Sequence, residues 1–298
     1  MLSIAGVQVE FRGELDDGFE EAFFSTFSRR YLPDVSRDKG EPHVIIERFR
    51  GEKFRVFGML YDDVDIYKIE SPVPVPYKSE SPVFFLLQVT ARAGIKIGRV
   101  FITDSASILL KDSAILFLGY PHSGKSTILT LAMAREIPIL STENTVVEVR
   151  NGGLYIVGGT DVLVYDPRVE EIYGIRAPYD DTTRSGYRIK SVASELRSRV
   201  LKRGVRIESI IILHSAFNCK GASFSQIKGR KVRKTLWYFA TSLLKGVDYY
   251  EPMPLEVPIT GSMVSNLLGF LDVASEVKIL EAFGSHDEIL SRIINDEV

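Results

Sequence analysis

A short glycine-containing segment, FLGYPHSGKST from Phe117 to Thr127, constrains the fold of this chain more than any other stretch. It fits the pattern G-x-x-x-x-G-K-[ST], whose fixed positions fall on Gly119, Gly124, Lys125 and Ser126. Such a pattern binds phosphate where a buried strand precedes it and a helix follows it. The apolar run AILFL before the segment and STILTLAMAR after it predict both elements.

The residue types in this segment suit a chain of phosphate groups. Glycines permit tight turns and close backbone approach, and a helix that begins near Lys125 directs its positive dipole end at an anion. Lys125 adds a mobile positive charge, and the Ser126 hydroxyl can bind Mg²⁺. We therefore predict a nucleotide with Mg²⁺ as the ligand, bound by the glycine loop, which consists of Gly119, Tyr120, Pro121, His122, Ser123, Gly124, Lys125, Ser126 and Thr127.

Composition and charge argue against several other classes of protein. The 298 residues have a net charge of −2 and one cysteine, Cys219. This balance disfavours general binding of nucleic acid or membranes, and one cysteine cannot form a disulfide framework or a cysteine zinc cluster. The N-terminus resembles no secretory signal, and no apolar run reaches about 18 residues, so we expect a cytoplasmic protein. Scarce glutamine with abundant Lys, Arg and Glu favours a thermophilic source.

The hydrophobic pattern predicts an α/β chain of two domains, residues 1–98 and residues 99–298. In the first domain, MLSIAGVQVEF alternates like one strand, and the aromatic residues of DGFEEAFFSTFSRRYL have the spacing of a buried helix face. Ser81 and Pro82 are typical of a helix start, and Gly94 is expected to end that helix.

The second domain is predicted to contain a β-hairpin that leads into the glycine loop. The apolar runs SASILL and AILFLG flank the turn residues Lys-Asp-Ser, which favours two antiparallel strands. A short helix over residues 125–136 follows, and then the strands IPIL, TVVEV, GGLYIV and VLVYD. Further helices are expected over residues 190–203 and 230–245 and in the C-terminal tail, with a buried strand at SIIIL.

Other motifs separate the classes of protein that use such a loop. Neither the N-K-x-D motif of GTPases nor the L-S-G-G-Q motif of ABC-type ATPases occurs. A motor or recombinase ATPase would place an acid after a distant apolar strand, but SIIIL is followed by His214 and Ser215. The nearest acid at a strand end is Glu143, 18 residues after Lys125. We expect this carboxylate to lie beside the loop, near the γ-phosphate.

The run SILLKDSAILFLGYPHSGKSTILTLAMAREIPILSTENTVVEVRNGGLYIVGG resembles the HPr kinase/phosphorylase family and its small-molecule kinase relatives. That family also leads into its P-loop from a hairpin, and its fold is similar to the C-terminal domain of phosphoenolpyruvate carboxykinase. The resemblance is clear over residues 100–175. It implies a P-loop kinase core of HPr kinase type with a mixed sheet, joined here to a small N-terminal α/β domain.

The resemblance also assigns candidate catalytic and metal residues. The family has an acidic DD turn whose second acid is the catalytic base, and the matching STEN turn makes Glu143 the candidate base, with Asn144 beside it. The family's EIRG motif matches EIYG, which implies that Glu171 binds Mg²⁺ together with Ser126. A histidine at the start of the family's hairpin falls at or beside Asp104, which becomes a second candidate base or assists the first. The single acid in STEN argues against the family's reverse, phosphorylase reaction.

The resemblance implies an ATP-dependent kinase that phosphorylates a hydroxyl of a small metabolite, with free L-serine as the best single substrate. Two alternatives stay open at this point. One is an HPr-type protein serine kinase, although the family's HPr-recognition signature is not visible after EIYG. The other is a non-catalytic or slowly hydrolysing nucleotide-dependent regulator. A homo-oligomer is compatible with each of them.

Four further features are weaker candidates for a functional role. Asp161 could line a substrate pocket, and the polar segment Arg176–Arg188 could form a lid over it. The basic run Lys228–Lys234 is either a solvated helix start or a phosphate contact. His122 is expected to point outward from the loop.

Overall fold

The computed structural model describes residues 1–245 and 257–298. The chain is a mixed α/β protein, as the sequence predicts, and its described strands form three sheets. A six-stranded sheet is built from the first 71 residues, and a nine-stranded sheet is built from strands that begin at residue 99. In the described ranges, no helix has both the length and the apolar character needed to cross a membrane.

The six-stranded sheet contains β1 (Leu2–Ile4), β2 (Val7–Gly13), β3 (Val35–Arg37), β4 (Val44–Arg50), β5 (Arg55–Tyr61) and β6 (Asp65–Ser71). The order is β3-β1-β2-β4-β6-β5, in which β2, β4 and β6 are parallel to one another. The prediction of one strand for MLSIAGVQVEF was wrong. The chain turns at Ala5 and Gly6, which both have positive φ, and the two strands pair antiparallel.

Two short helical segments follow β2 in the chain. They are a 3-10 helix (Glu21–Phe24) and α1 (Thr26–Tyr31), so the single helix expected for this region is interrupted. The interruption lies at Ser25, whose extended backbone lets its hydroxyl accept a hydrogen bond from the backbone N–H of Ser28 at 3.3 Å. A serine that caps a new helix in this way ends the one before it.

Helix α2 (Ser81–Lys96) is buried along its whole circumference. Every residue before its last is buried, as expected for a helix that is apolar on all sides. Its Arg92 is fully buried and donates to Asp65 at 2.6 Å. The predicted start is confirmed, but Gly94 does not end the helix. A Cβ at Gly94 would lie 2.7 Å from the ring of Phe101, so this glycine allows close packing against the next strand.

The remaining strands, in chain order, are β7 (Arg99–Ile102), β8 (Ser105–Leu110), β9 (Ser113–Leu118), β10 (Ile139–Ser141), β11 (Thr145–Arg150), β12 (Gly153–Gly159), β13 (Val162–Tyr165), β14 (Asp181–Thr182), β15 (Arg188–Ser191), β16 (Val205–Ser215), β17 (Ala222–Gln226) and β18 (Lys278–Gly284). Strands β13, β15 and β14 form the small third sheet. The others form the nine-stranded sheet, in the order β10-β8-β9-β16-β12-β11-β7, with β18 between β16 and β17.

The remaining helices are α3 (Lys125–Ala134), α4 (Arg168–Tyr173), α5 (Glu195–Arg203), α6 (Arg230–Thr241), α7 (Gly261–Ser275) and α8 (His286–Ile294). Alternate side chains of β9 enter different cores. Leu116 packs in the core that also contains residues of α6 and α7, whereas Phe117 packs in the core that contains residues of α3 and α8. The nine-stranded sheet is therefore the middle layer of three.

The predicted hairpin is confirmed, because β8 and β9 pair antiparallel from Ser105–Leu118 to Leu110–Ser113. Strand β9 then pairs parallel with β16, and β16 pairs parallel with β18. The helix expected over residues 190–203 begins only at Glu195, since the residues up to Ser191 pair as β15 with β13. The α-helix expected over residues 230–245 continues as a 3-10 helix from Ser242.

Candidate functional site

The glycine loop joins the carboxyl end of β9 to the N-terminus of α3, as the sequence predicts. His122 and Gly124 have left-handed backbone conformations, with φ of 66° and 96°. A side chain at Gly124 would overlap the Ser215 hydroxyl and the His286 ring. Glycine is therefore required at this position both for its backbone conformation and for space.

Residues at the end of β16 and the start of α8 contact the glycine loop and hold its backbone in place. The Ser215 hydroxyl donates to the carbonyl oxygen of Ser123 at 2.6 Å. The His286 ring, which is 1% exposed, lies beside Gly124 and contacts the Tyr173 hydroxyl through Nδ1 at 2.8 Å. Burial lowers the pKa of His286 to about 4, so the ring is neutral near pH 7.

Lys125 is the buried cation of the site, with 7% of its surface exposed. Its ammonium group donates to the carbonyl oxygens of Gly119 and Tyr120 and lies 3.8 Å from the Asp104 carboxylate. Burial lowers the pKa of Lys125, and the carboxylates of Glu143 and Asp104 offset part of that change. The three charged side chains predicted to act in catalysis therefore lie within electrostatic range of one another.

Asp104 lies in the tight turn between β7 and β8, where its φ is 50°. Aspartate tolerates this left-handed conformation better than most residues. Its carbonyl oxygen accepts a hydrogen bond from the backbone N–H of Gly119 at 3.2 Å, which ties this turn to the glycine loop. Burial raises the pKa of Asp104, and Lys125 partly opposes the change.

Glu143 lies in the turn between β10 and β11, and a single hydroxyl organises that turn. Thr160 Oγ1 accepts hydrogen bonds from the backbone N–H groups of Glu143 at 2.8 Å and Asn144 at 3.1 Å. Burial raises the pKa of Glu143, and the cations Lys125 and Arg30 offset part of that rise. A partly buried carboxylate with a raised pKa has the character of a general base.

Buried hydroxyl groups connect the two acidic turns across β8. Ser107 and Ser141 hydroxyl oxygens are 2.6 Å apart, and the Ser105 hydroxyl donates to Thr145 Oγ1 at 2.7 Å. The backbone N–H of Ser105 also donates to the carbonyl oxygen of Glu143 at 3.0 Å. The neighbours of the two candidate bases are thus part of one hydrogen-bonded network.

The outer part of the glycine loop is exposed. Tyr120, Pro121 and His122 all face solvent, as expected for His122, and Tyr120 is 56% exposed. The Tyr120 ring lies 5.2 Å from the Tyr238 ring and 5.7 Å from the Phe239 ring, so α6 flanks the loop on this side.

The loop contains the features that a phosphate chain requires. Ser123 Oγ is buried and has no hydrogen-bond partner among the described residues, and the N-terminus of the ten-residue helix α3 begins two residues later. Ser126 is half-buried, and Thr127 is 8% exposed. The described residues contain no group of three metal-binding side chains. Magnesium nevertheless fits, because it commonly binds one or two protein oxygens together with substrate phosphates.

Glu171, the predicted partner of Ser126 in metal binding, lies exposed on α4. It makes no hydrogen bond or ion pair with any residue in the described ranges. Its neighbour Glu170 instead accepts from the backbone N–H of Ala177 at 2.8 Å and pairs with Arg188. The structure therefore gives Glu171 no bond to the loop, and metal binding by Glu171 stays a prediction.

Three other features that were predicted to act in function contact residues elsewhere in the fold. Asp161 lines a cavity of about 430 Å³ but accepts a hydrogen bond from Arg29 Nε at 3.1 Å. The segment Arg176–Arg188 carries β14 and meets β15, which anchor it in the third sheet. Within Lys228–Lys234, Arg233 pairs with Asp272 at 2.7 Å, which suits the interpretation as a solvated helix start.

Sequence reasoning missed the residues that position this site from a distance. Thr160, Ser215 and His286 act through contacts across at least 16 positions of sequence. Arg30, on α1, also acts on Glu143. No local pattern marks these residues, because each depends on which segments the fold brings together.

No protein-family model and no curated protein matches this chain. The described structure therefore defines its class on its own: a mixed α/β protein in which a glycine loop between a parallel strand and a helix carries a buried lysine. Two carboxylates, Asp104 and Glu143, lie within electrostatic range of that lysine. This combination is the basis for a functional proposal.

Proposed function

We propose that this chain is an ATP-dependent kinase that transfers the γ-phosphoryl group to a hydroxyl of a small molecule. The observation that carries the proposal is the position of Lys125, which is buried at the start of α3, 3.8 Å from Asp104 and within electrostatic range of Glu143. A buried cation whose partners are carbonyl oxygens and a nearby carboxylate is suited to receive an anionic ligand. The resemblance to the HPr kinase/phosphorylase family supports the same activity.

The glycine loop would bind the β- and γ-phosphates through its backbone N–H groups and the N-terminus of α3. Lys125 would exchange its carbonyl partners for phosphate oxygens, and Ser215 would keep the loop backbone in place through Ser123. Ser126, with Asp104 or Glu143, would hold Mg²⁺, which supplies charge neutralisation at the phosphates when it is bound.

The chemical step requires a base at the acceptor oxygen. As the acceptor hydroxyl attacks the γ-phosphorus, its proton passes to a carboxylate, the new O–P bond forms, and the bond to the β-phosphate oxygen breaks with its electron pair leaving on ADP. Glu143 is the first candidate for this base and Asp104 the second. Burial raises the pKa of both groups, which makes each a stronger base than an exposed carboxylate.

Free L-serine is the proposed acceptor, on the basis of the family resemblance. The test is release of ADP by the purified protein with Mg-ATP and a panel of serine, threonine, homoserine, inositol and sugars. We expect ADP release with at least one acceptor, and loss of both ATP binding and turnover in Lys125→Ala. ATP binding that survives Lys125→Ala unchanged would contradict the proposal.

The same assay distinguishes the two alternatives. ADP release with no member of the panel, together with intact ATP binding, would favour a protein substrate. A nucleotide-dependent regulator would keep its ATP affinity and show no change in its slow hydrolysis in Glu143→Gln.

A further inference from the structure

Helix α1 belongs to the six-stranded-sheet part of the chain but lies against the turn that carries Glu143. The Asn144 side-chain amide donates to the carbonyl oxygen of Tyr31, the last residue of α1, at 2.8 Å. A few residues later, Asp34 accepts a hydrogen bond from the backbone N–H of Gly159 at 2.9 Å. The C-terminal end of α1 and the residues just after it are thus bonded to the turn that carries the candidate base and to β12.

Three arginines lie at this contact, and two of them have acidic partners. Arg29 Nε donates to Asp161 at 3.1 Å, and Arg197 donates to Asp34 at 2.7 Å. These two ion pairs connect the first part of the chain with the second, and in each pair a carboxylate balances the charge of the arginine.

Arg30 differs from the other two arginines. It is half-buried, and it makes no hydrogen bond or ion pair with any residue that the structure describes. Its guanidinium lies 5.1 Å from the centre of the Tyr31 ring, which orients the group without neutralising it. The positive charge of Arg30 is therefore available to a ligand.

The field of Arg30 reaches the acceptor side of the site. Its charge acts on the Glu143 carboxylate, although the two groups are farther apart than the 4 Å of an ion pair. The cations that act on the Glu143 carboxylate are Lys125 and Arg30. Arg30 is thus a second positive charge near the candidate base, in addition to Lys125.

We propose that Arg30 binds an oxyanion group of the acceptor, so that the substrate of the proposed kinase carries a carboxylate or a phosphate in addition to its hydroxyl. This inference rests on the proposed function. The planar guanidinium forms two parallel hydrogen bonds to either oxyanion, and fixing that end of the molecule would direct its hydroxyl toward Glu143. A neutral alcohol lacks this anchor and would be bound weakly.

The test compares related acceptors with and without an oxyanion group. Glycerate, glycerol 3-phosphate and glycerol form one series, and L-serine and L-serinamide form a second. We expect wild-type protein to favour a charged member of at least one series, and Arg30→Ala to raise KM for that compound by about tenfold to a hundredfold with little change in kcat. The carboxylate and phosphate arms decide which oxyanion is bound.

Two further measurements separate anchoring from other roles. Calorimetric titration of the favoured acceptor into protein with a non-hydrolysable ATP analogue should show the same loss of affinity in Arg30→Ala, with partial recovery in Arg30→Lys. The affinity for the ATP analogue without acceptor should be unchanged in Arg30→Ala, because Arg30 makes no hydrogen bond or ion pair with the glycine loop among the described residues. The matched control is Arg29→Ala, which removes the neighbouring paired arginine and should not alter the preference for charge.

Three outcomes would overturn the inference and leave the proposed function standing. Wild-type protein could bind ATP without favouring a charged acceptor in either series. Arg30→Ala could keep the wild-type preference for charge. Arg30→Ala could instead lower kcat equally with every acceptor and with water, which would place Arg30 at the transferred phosphoryl group. The failure of the proposed function is distinct, because it would appear as ATP binding that Lys125→Ala does not alter.

Discussion

The glycine loop and the STEN turn that carries Glu143 form the same site in different ways. The loop depends on its own backbone, with left-handed His122 and Gly124 leading directly into α3. The STEN turn depends instead on contacts with distant residues. Its N–H groups are bonded to Thr160, and its Asn144 side chain is bonded to Tyr31, 113 positions earlier.

The two regions also have different proposed roles, because the loop would bind the nucleotide and the turn carries the proposed base. A loop determined by local backbone conformation can be recognised in the sequence and is expected to bind nucleotide even where its surroundings vary. The Glu143 carboxylate is positioned only when several segments of the chain have packed together. Substitutions in the two regions should therefore affect different measured quantities.

The largest expected effect comes from removing the proposed base. Glu143→Gln should lower kcat by about 10²- to 10⁴-fold and leave KM for ATP nearly unchanged, because the amide cannot accept the proton while the loop stays intact. Steady-state kinetics of Glu143→Gln and Asp104→Asn would show which carboxylate acts. Because burial raises the pKa of both, activity should fall in acid at a higher pH than an exposed carboxylate would give.

The control for the base variants is Glu195→Gln, a matched change at an exposed position on α5. It should leave kcat within about twofold of wild type. If both base variants also stayed within tenfold of wild type, the STEN turn and the Asp104 turn would have no catalytic role.

The second expected effect concerns the loop itself. Gly124→Ala should destabilise the protein by about 2 to 4 kcal/mol, because it adds backbone strain and an overlap with Ser215 and His286. ATP affinity should fall as well. Gly186→Ala is the matched control, since Gly186 has a similar φ of 86° but open space around it, and it should cost only about 1 kcal/mol. Equal losses in the two variants would show that space at Gly124 is unimportant.

A third, somewhat smaller effect should appear as a dependence of stability on pH. His286 has a pKa of about 4 in the folded protein and an ordinary value of 6.5 when unfolded. The unfolded chain therefore takes up the proton first, so stability is complete above pH 6.5 and decreases as the pH falls toward 4. The loss should be about 2 kcal/mol at pH 5. Urea unfolding at pH 7 and pH 5 measures it, and His286→Gln should reduce the difference by that amount.

The smallest effect should come from the support of the acidic turn. Thr160→Val keeps the side-chain shape but removes the acceptor for the N–H groups of Glu143 and Asn144. We expect a loss of about 1 to 2 kcal/mol in unfolding free energy and a lower kcat with unchanged ATP affinity. Thr90→Val is the control, because the buried Thr90 hydroxyl donates only to carbonyl oxygens within α2. A lower ATP affinity in Thr160→Val would show that the turn and the loop are not separable.

Local patterns predicted the fold near the loop better than elsewhere. The hairpin β8–β9 and helix α3 follow from two apolar runs and a glycine pattern, and the structure has both. Predictions failed where a distant partner decided the outcome. Gly94 is typical of a helix end, but the helix continues because the glycine is needed for contact with Phe101. Residues 190 and 191 have a helical period, but they pair with β13.

The candidate site shows the same division. Lys125 and Ser126 were placed by their positions in the pattern, and Glu143 and Asp104 were placed near them by spacing and resemblance. Neither the pairing of Asp65 on β6 with Arg92 on α2 nor the charge of Arg30, which has no acidic partner among the described residues, has a signal in the sequence. The partners of these charges are set by the packing of α1 and α2, which separation along the chain does not reveal.

The sequence by itself determined the mixed α/β class, the hairpin, and the strand, loop and helix unit. These features depend on backbone conformation and on the alternation of apolar side chains, which neighbouring residues specify. Only the tertiary structure decided which remote residues support the candidate site, namely Thr160 at the Glu143 turn, His286 beside Gly124, and Arg30 near Glu143. Electrostatic energies depend on distance in space and on burial, and both quantities arise only after remote segments have packed together.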